Sequence, residues 1–252
     1  MPNGALVFGV GLLALILAYC LDVRKLGDRQ TMPILRPLSA VLRPKSETIA
    51  DVAGLLTVYS AFVLFWFAFL AKHNDLLLDI WWAMCAVVVA MDAQTTYIPR
   101  LSLVYVAAIG LLLAHFLVDP AGASDRLLIG GAFYAIGVAF VLYGRHIGKP
   151  IGGGDAPVML LFGCGLPTPA HATAFLFFGG LFTVAYGLLN TLPLLVTRLY
   201  NVLLQADKSD WATLYVVISS VFADVIVGER RLIPLLPPLC VGAGMSLAFL
   251  GT

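Results

Sequence analysis

Two carboxylates interrupt apolar sequence in surroundings that invite chemistry. Asp155 closes the stretch Gly148-Lys149-Pro150-Ile151-Gly152-Gly153-Gly154-Asp155-Ala156-Pro157, and Asp92 lies in Met91-Asp92-Ala93-Gln94-Thr95-Thr96-Tyr97-Ile98-Pro99-Arg100. The glycines 152–154 free the backbone and leave no side chain between it and an approaching chain. Asp155 stands where a helix N-cap would, with Pro157 acceptable in the first helical turn. Two carboxylates held close cannot both ionise cheaply, so such a pair shares a proton. The ionised member activates a water; the protonated member assists a carbonyl oxygen and then the leaving amine. Helix ends suggest an order. Asp155, at a helix N-terminus, is favoured as the anion, and Asp92, nearer a C-terminal end, as the neutral acid. A coupled pair nevertheless titrates as a unit.

The elements that must hold these groups are membrane helices. Hydrophobic residues make up 61% of the 252 residues and charged residues 12%, against roughly 25% charged in a soluble domain. Apolar segments of span length or slightly less fall at about 4–21, 52–71, 76–96, 101–118, 127–143, 156–166, 172–196 and 234–250. An all-α polytopic bundle of about eight transmembrane helices is expected, forming one integral membrane domain over 1–252. The stretch 22–51 forms a basic loop, and 198–233 a loop holding an interfacial helix within 211–227. Trp81 and Trp82 open the third segment as an interfacial belt, and Asp119-Pro120-Ala121-Gly122 forms a turn. The first apolar run has no basic lead-in and no small-residue cleavage site, so it reads as a retained helix. The single cysteines Cys20, Cys85, Cys164 and Cys240 form no paired motif and read as buried small residues.

Charge placement orients the bundle. With the N-terminus outside, thirteen of the fifteen Lys and Arg residues fall in cytoplasmic loops and only Lys72 and Arg126 outside. Both aspartates then lie at the cytoplasmic face. Asp79 and Asp92 are separated by about 20 Å of helix against a hydrocarbon core of roughly 30 Å, so Asp92 sits inside or at the edge of the apolar layer. An ionisable group there is costly and points to function. The plainer reading, a carboxylate capping a span and pairing with Arg100 or Arg145, suits either aspartate alone better than both together.

Gly152-Gly153-Gly154-Asp155 resembles the Gly-x-Gly-Asp motif of the type IV prepilin peptidases, and Asp92 followed by Ile98-Pro99 resembles their first catalytic motif. The run Ile233-Pro234-Leu235-Leu236-Pro237-Pro238-Leu239 is similar to the proline-rich lead-in to their last helix. The resemblance implies a membrane aspartyl endopeptidase with Asp92 and Asp155 catalytic. Gly152, Gly153, Gly154, Ile98, Pro99 and Pro234 would position loop and substrate. It also implies cleavage of prepilin leaders at the cytoplasmic face of the inner membrane, usually after glycine. Prepilin or pseudopilin substrates and pilus-assembly proteins would be the partners. Pro157 stands where the family commonly has Lys, and Arg100 where Asn often follows Ile-Pro. The cysteine-rich insertion of the larger, N-methylating members is absent from loop 22–51, so the short form is the closer likeness and methyl transfer is not supported.

Other readings use the same residues. A proton-coupled transporter would use Asp92 and Asp155 as a relay, yet matching halves with broken helices are not apparent. A signal-peptide-peptidase-like protease also carries Gly-x-Gly-Asp, but it leads with Tyr-Asp where this chain has Met91-Asp92. His73, His115 and His171 lie in different segments without ligand spacing, so no metal is expected, and His146 beside the glycine loop could tune the aspartate pair but reads better as a solvated interfacial histidine. No cofactor is expected, and the glycine run is no phosphate loop because Gly-Lys-Ser/Thr does not follow. Nothing points to nucleic acid. Basic loop 22–51 could attract acidic lipid, although its first role is topology. The pairs Gly179-Gly180 and Gly242 with Gly244, and Gly187, suit close helix packing.

Overall fold

The computed structural model describes residues 4–26, 47–70, 75–95, 101–146, 155–205, 219 and 236–251. Among the described residues every regular element is helical: α1 (Gly4–Leu26), α2 (Glu47–Phe65, continued by the π-helical turn Trp66–Leu70), α3 (Leu76–Thr95), α4 (Leu101–Val118), α5 (Pro120–His146), α6 (Asp155–Gly165), α7 (Pro169–Gln205) and α8 (Leu236–Leu250). Each apolar segment read from the sequence overlaps one helix. Leu76–Ala93, Pro120–Tyr143 and Pro169–Leu189 are long and apolar enough to cross a membrane. The apolar stretches Gly4–Tyr19, Val52–Ala68, Ser102–Val118, Asp155–Gly165 and Leu236–Leu250 are shorter. Ile98, Pro99, the glycines 152–154, Pro234, and nearly all of 211–227 lie outside the described residues, as does most of loop 22–51.

Local chemistry sets the helix starts. Asp75 Oδ1 accepts the N–H groups of Leu77 and Leu78 at 3.0 and 3.1 Å, which caps α3. Asp119 does the same for α5, with its Oδ1 accepting the Gly122 N–H at 3.2 Å and Pro120 as the first helical residue. The expected turn at 119–122 is therefore the first turn of α5. A proline there surrenders only an N–H that a helix start leaves unpaired.

Two compact units divide the chain: Met1–Gly180 with Pro234–Thr252, and Leu181–Ile233. The second unit, among its described residues, is the later part of α7 and Ser219. The first holds both aspartates and is built around α3, which packs on α1, α2, α4, α6 and α8. From Trp81 to Ala93 every α3 residue except Met84 is buried. Neighbouring helices instead expose apolar side chains outward, among them Val106, Leu113 and Leu117 of α4 and Leu128 of α5.

Trp81 and Trp82 are core residues, not an interfacial belt. Their indole N–H groups donate to the Leu161 and Phe62 carbonyls at 2.8 and 2.9 Å, and both are at most 1% exposed. A buried indole needs such a partner. Trp66, in the π-helical turn, stacks on Trp82 with ring centroids 4.6 Å apart and donates to buried Asp79 Oδ1 at 2.7 Å. Glycine closes the packing of α7 on α8, because a Cβ on Gly242 would lie 2.5 Å from Gly179 Cα. A Cβ on Gly180 would meet nothing within 4 Å, so the close contact here is made by Gly179 and Gly242. Cys85, Cys164 and Cys240 are free and buried.

Candidate active site

The site is built from the ends of α3, α6 and α8. Helices α3 and α6 run antiparallel. Gly165 lies against the Trp81 indole, and Leu161 shares an apolar cleft with Met84, Val87 and Val88 one to two turns further along α3. From Trp81 to Asp92 is about 16 Å along α3, and from Leu161 or Gly165 back to Asp155 is about 9–15 Å along α6. Each aspartate therefore lies at the same end of the helix pair, at a similar level. Asp92 is 8% exposed in the last turn of α3, and Asp155 is half-buried as the first residue of α6.

Helix α6 is short, and α5 grips it at both ends. A Cβ on Gly137 would lie 2.6 Å from Ala156 Cα, and one on Gly163 would lie 2.7 Å from Gly130 Cα. The two contacts are seven residues apart on each helix, so small residues at matching intervals let the backbones touch. At the far end the Arg126 guanidinium donates from Nη1 to the Gly165 carbonyl at 2.6 Å and reaches the Cys164 carbonyl at 3.5 Å. A cation against the last carbonyls satisfies orphan acceptors at the negative end of the helix. Asp155 thus begins a helix whose first turn and last turn are both fixed by one neighbour.

The third element reaches Asp92. The Leu236 N–H, in the first turn of α8, donates to Asp92 Oδ2 at 3.1 Å. A sequence reading could not find this bond, because its donor is a backbone group 144 residues away. Arg126 was visible only as a charge on the outer side; its role as a helix cap depends on the α5–α6 register. His146 is exposed at the end of α5, while His171 is buried and bonded to Thr168 and the Gly251 carbonyl. Among the described residues no group of His, Cys, Asp and Glu side chains is arranged to hold a metal ion.

Compared with known protein families, curated proteins and solved structures, the chain matches none.

Proposed function

We propose that this protein is a membrane aspartyl endopeptidase of the prepilin-peptidase type, cutting leader peptides from prepilin-like substrates with Asp92 and Asp155. The observation that supports the reading is the placement of two carboxylates at the same end of antiparallel α3 and α6, one buried and one at a helix start. The ionised aspartate takes a proton from water, whose oxygen bonds to the scissile carbonyl carbon. The protonated aspartate donates to the carbonyl oxygen in the same step. Collapse of the tetrahedral adduct breaks the C–N bond, the amine takes a proton from the pair, and a carboxylate and an amine leave. Glycines 152–154 would let substrate backbone lie against Asp155.

The chain crosses the inner membrane about eight times in this reading, with its N-terminus outside and the aspartates facing the cytoplasm. The asymmetry of Lys and Arg supports that orientation. A prepilin held by its own apolar helix meets such a site without carrying polar groups across the bilayer. Incubating the purified protein with a prepilin should release the leader. An intact substrate, together with Asp92- and Asp155-dependent proton flux in liposomes, would favour a transporter.

A further inference from the structure

Asp92 ends a stripe on α3. Met84, Val88 and Asp92 are spaced four residues apart and so share one face of the helix. Met84 and Val88 also floor an apolar cleft of about 210 Å³. Helices α1 and α4 both pack on α3 and wall the cleft, α1 through Ala14, Leu17 and Ala18 and α4 through Leu103, Val106 and Ala107. The three alanines leave the space that longer side chains would fill. Every lining side chain is apolar. Leu17 and Val106 are themselves exposed, so among the described residues the cleft opens on the outward apolar surface of the bundle.

The cleft begins about 6 Å along α3 from Asp92, at Val88, and continues to about 12 Å, at Met84. In the proposed orientation both lie on the side away from the cytoplasm. A precursor held by its own apolar helix has its leader on the cytoplasmic side of the scissile bond and that helix on the other. Its residues after the cut therefore come to the face of α3 that carries both the carboxylate and the cleft. We propose that the cleft seats the first apolar turns of the substrate's membrane helix, about two to eight residues beyond the cut, and selects precursors with large apolar side chains there. The proposal rests on the peptidase reading and adds a recognition surface from α1 and α4, which hold neither aspartate. An apolar cavity of about 150 Å³ admits a benzene ring, so this one has room for a side chain of that size.

Ala107→Phe fills the cleft from the α4 wall, and Ile109→Phe adds the same ring on the exposed face of that helix, outside the cleft. Each is assayed on a prepilin and on a version of it whose large apolar residues in the seated segment are alanines. Loss of one seated side chain should lower kcat/KM roughly tenfold to hundredfold. The wild type should show that loss on the alanine version. Ala107→Phe should show it on the natural prepilin and lose little more on the alanine version, and Ile109→Phe should match the wild type on both. With thermal midpoints near wild type, equal-fold losses of Ala107→Phe on the two substrates, or its full turnover of the natural one, would overturn the proposal.

A second readout depends neither on cleavage nor on a filled cleft. p-Benzoylphenylalanine replaces Leu17 at the cleft mouth, in an Asp92→Asn background that holds the precursor uncut. Illumination should join it to the prepilin, and mass spectrometry should place the adduct in the first apolar turns after the cut. The same probe in place of Ile109 should give no such adduct. Adducts from position 17 with phospholipid alone, or with this chain or a second copy of it alone, would overturn the proposal even in an active peptidase. The expected adduct with a protein whose wild type cleaves no prepilin would refute the peptidase reading and uphold the docking surface.

Discussion

Asp92 has two jobs that a single substitution can separate. It is half of the proposed catalytic pair, and it accepts the Leu236 N–H in the first turn of α8. Asp92→Asn keeps a carbonyl oxygen for that N–H but cannot take or hold a proton. Cleavage should fall by roughly 10²- to 10⁴-fold, the share that proton transfer usually supplies, with the thermal midpoint near wild type. Asp92→Ala should lose the same activity and also about 0.5–2 kcal/mol of stability, as for a deleted N-cap. Asp155→Asn should be as inactive as Asp92→Asn. Thermal denaturation beside a cleavage assay checks all three, and comparable activity in either Asn variant would remove the pair mechanism.

At the scale of elements, α5 sets where α6 stands. Gly137→Ala and Gly163→Ala would push backbone against backbone, so each should cost about 1–3 kcal/mol, as overpacking does. Gly131, on the same helix, has nothing within 4 Å of a built Cβ, and Gly131→Ala should be neutral or slightly stabilising. Arg126→Met should cost about 1.5–3 kcal/mol through the lost bonds to the Gly165 and Cys164 carbonyls. Denaturation midpoints in detergent measure these changes, and a Gly131→Ala loss equal to that of Gly137→Ala would deny the close α5–α6 contact. The helices and the two aspartates were legible in the sequence because apolar runs have a length and a charge inside one is conspicuous. What was not legible depends on which face a residue presents and what faces it. Trp81 and Trp82 look alike in sequence whether they meet headgroups or the Leu161 and Phe62 carbonyls. Asp119-Pro120 is as good a helix start as a turn. Leu236 carries no side-chain signal for a bond its backbone makes.

For the whole molecule the account makes a claim about sidedness. Thirteen of fifteen basic residues fall on one face if the N-terminus is outside, and the aspartates fall on that face too. Thr96→Cys and Lys149→Cys, each in a background freed of the native cysteines, should be labelled by an impermeant thiol reagent in inverted vesicles and not in intact cells. Labelling from outside intact cells would reverse the orientation and with it the substrate's approach. The central claim, that Asp92 and Asp155 together hydrolyse a leader peptide, is met most directly by mass spectrometry of a prepilin incubated with the purified protein in detergent. The account predicts a product shortened at the junction of leader and apolar helix with the wild type, and an unchanged precursor with Asp92→Asn and with Asp155→Asn. An intact precursor with the wild type, or the same product with either variant, would contradict it.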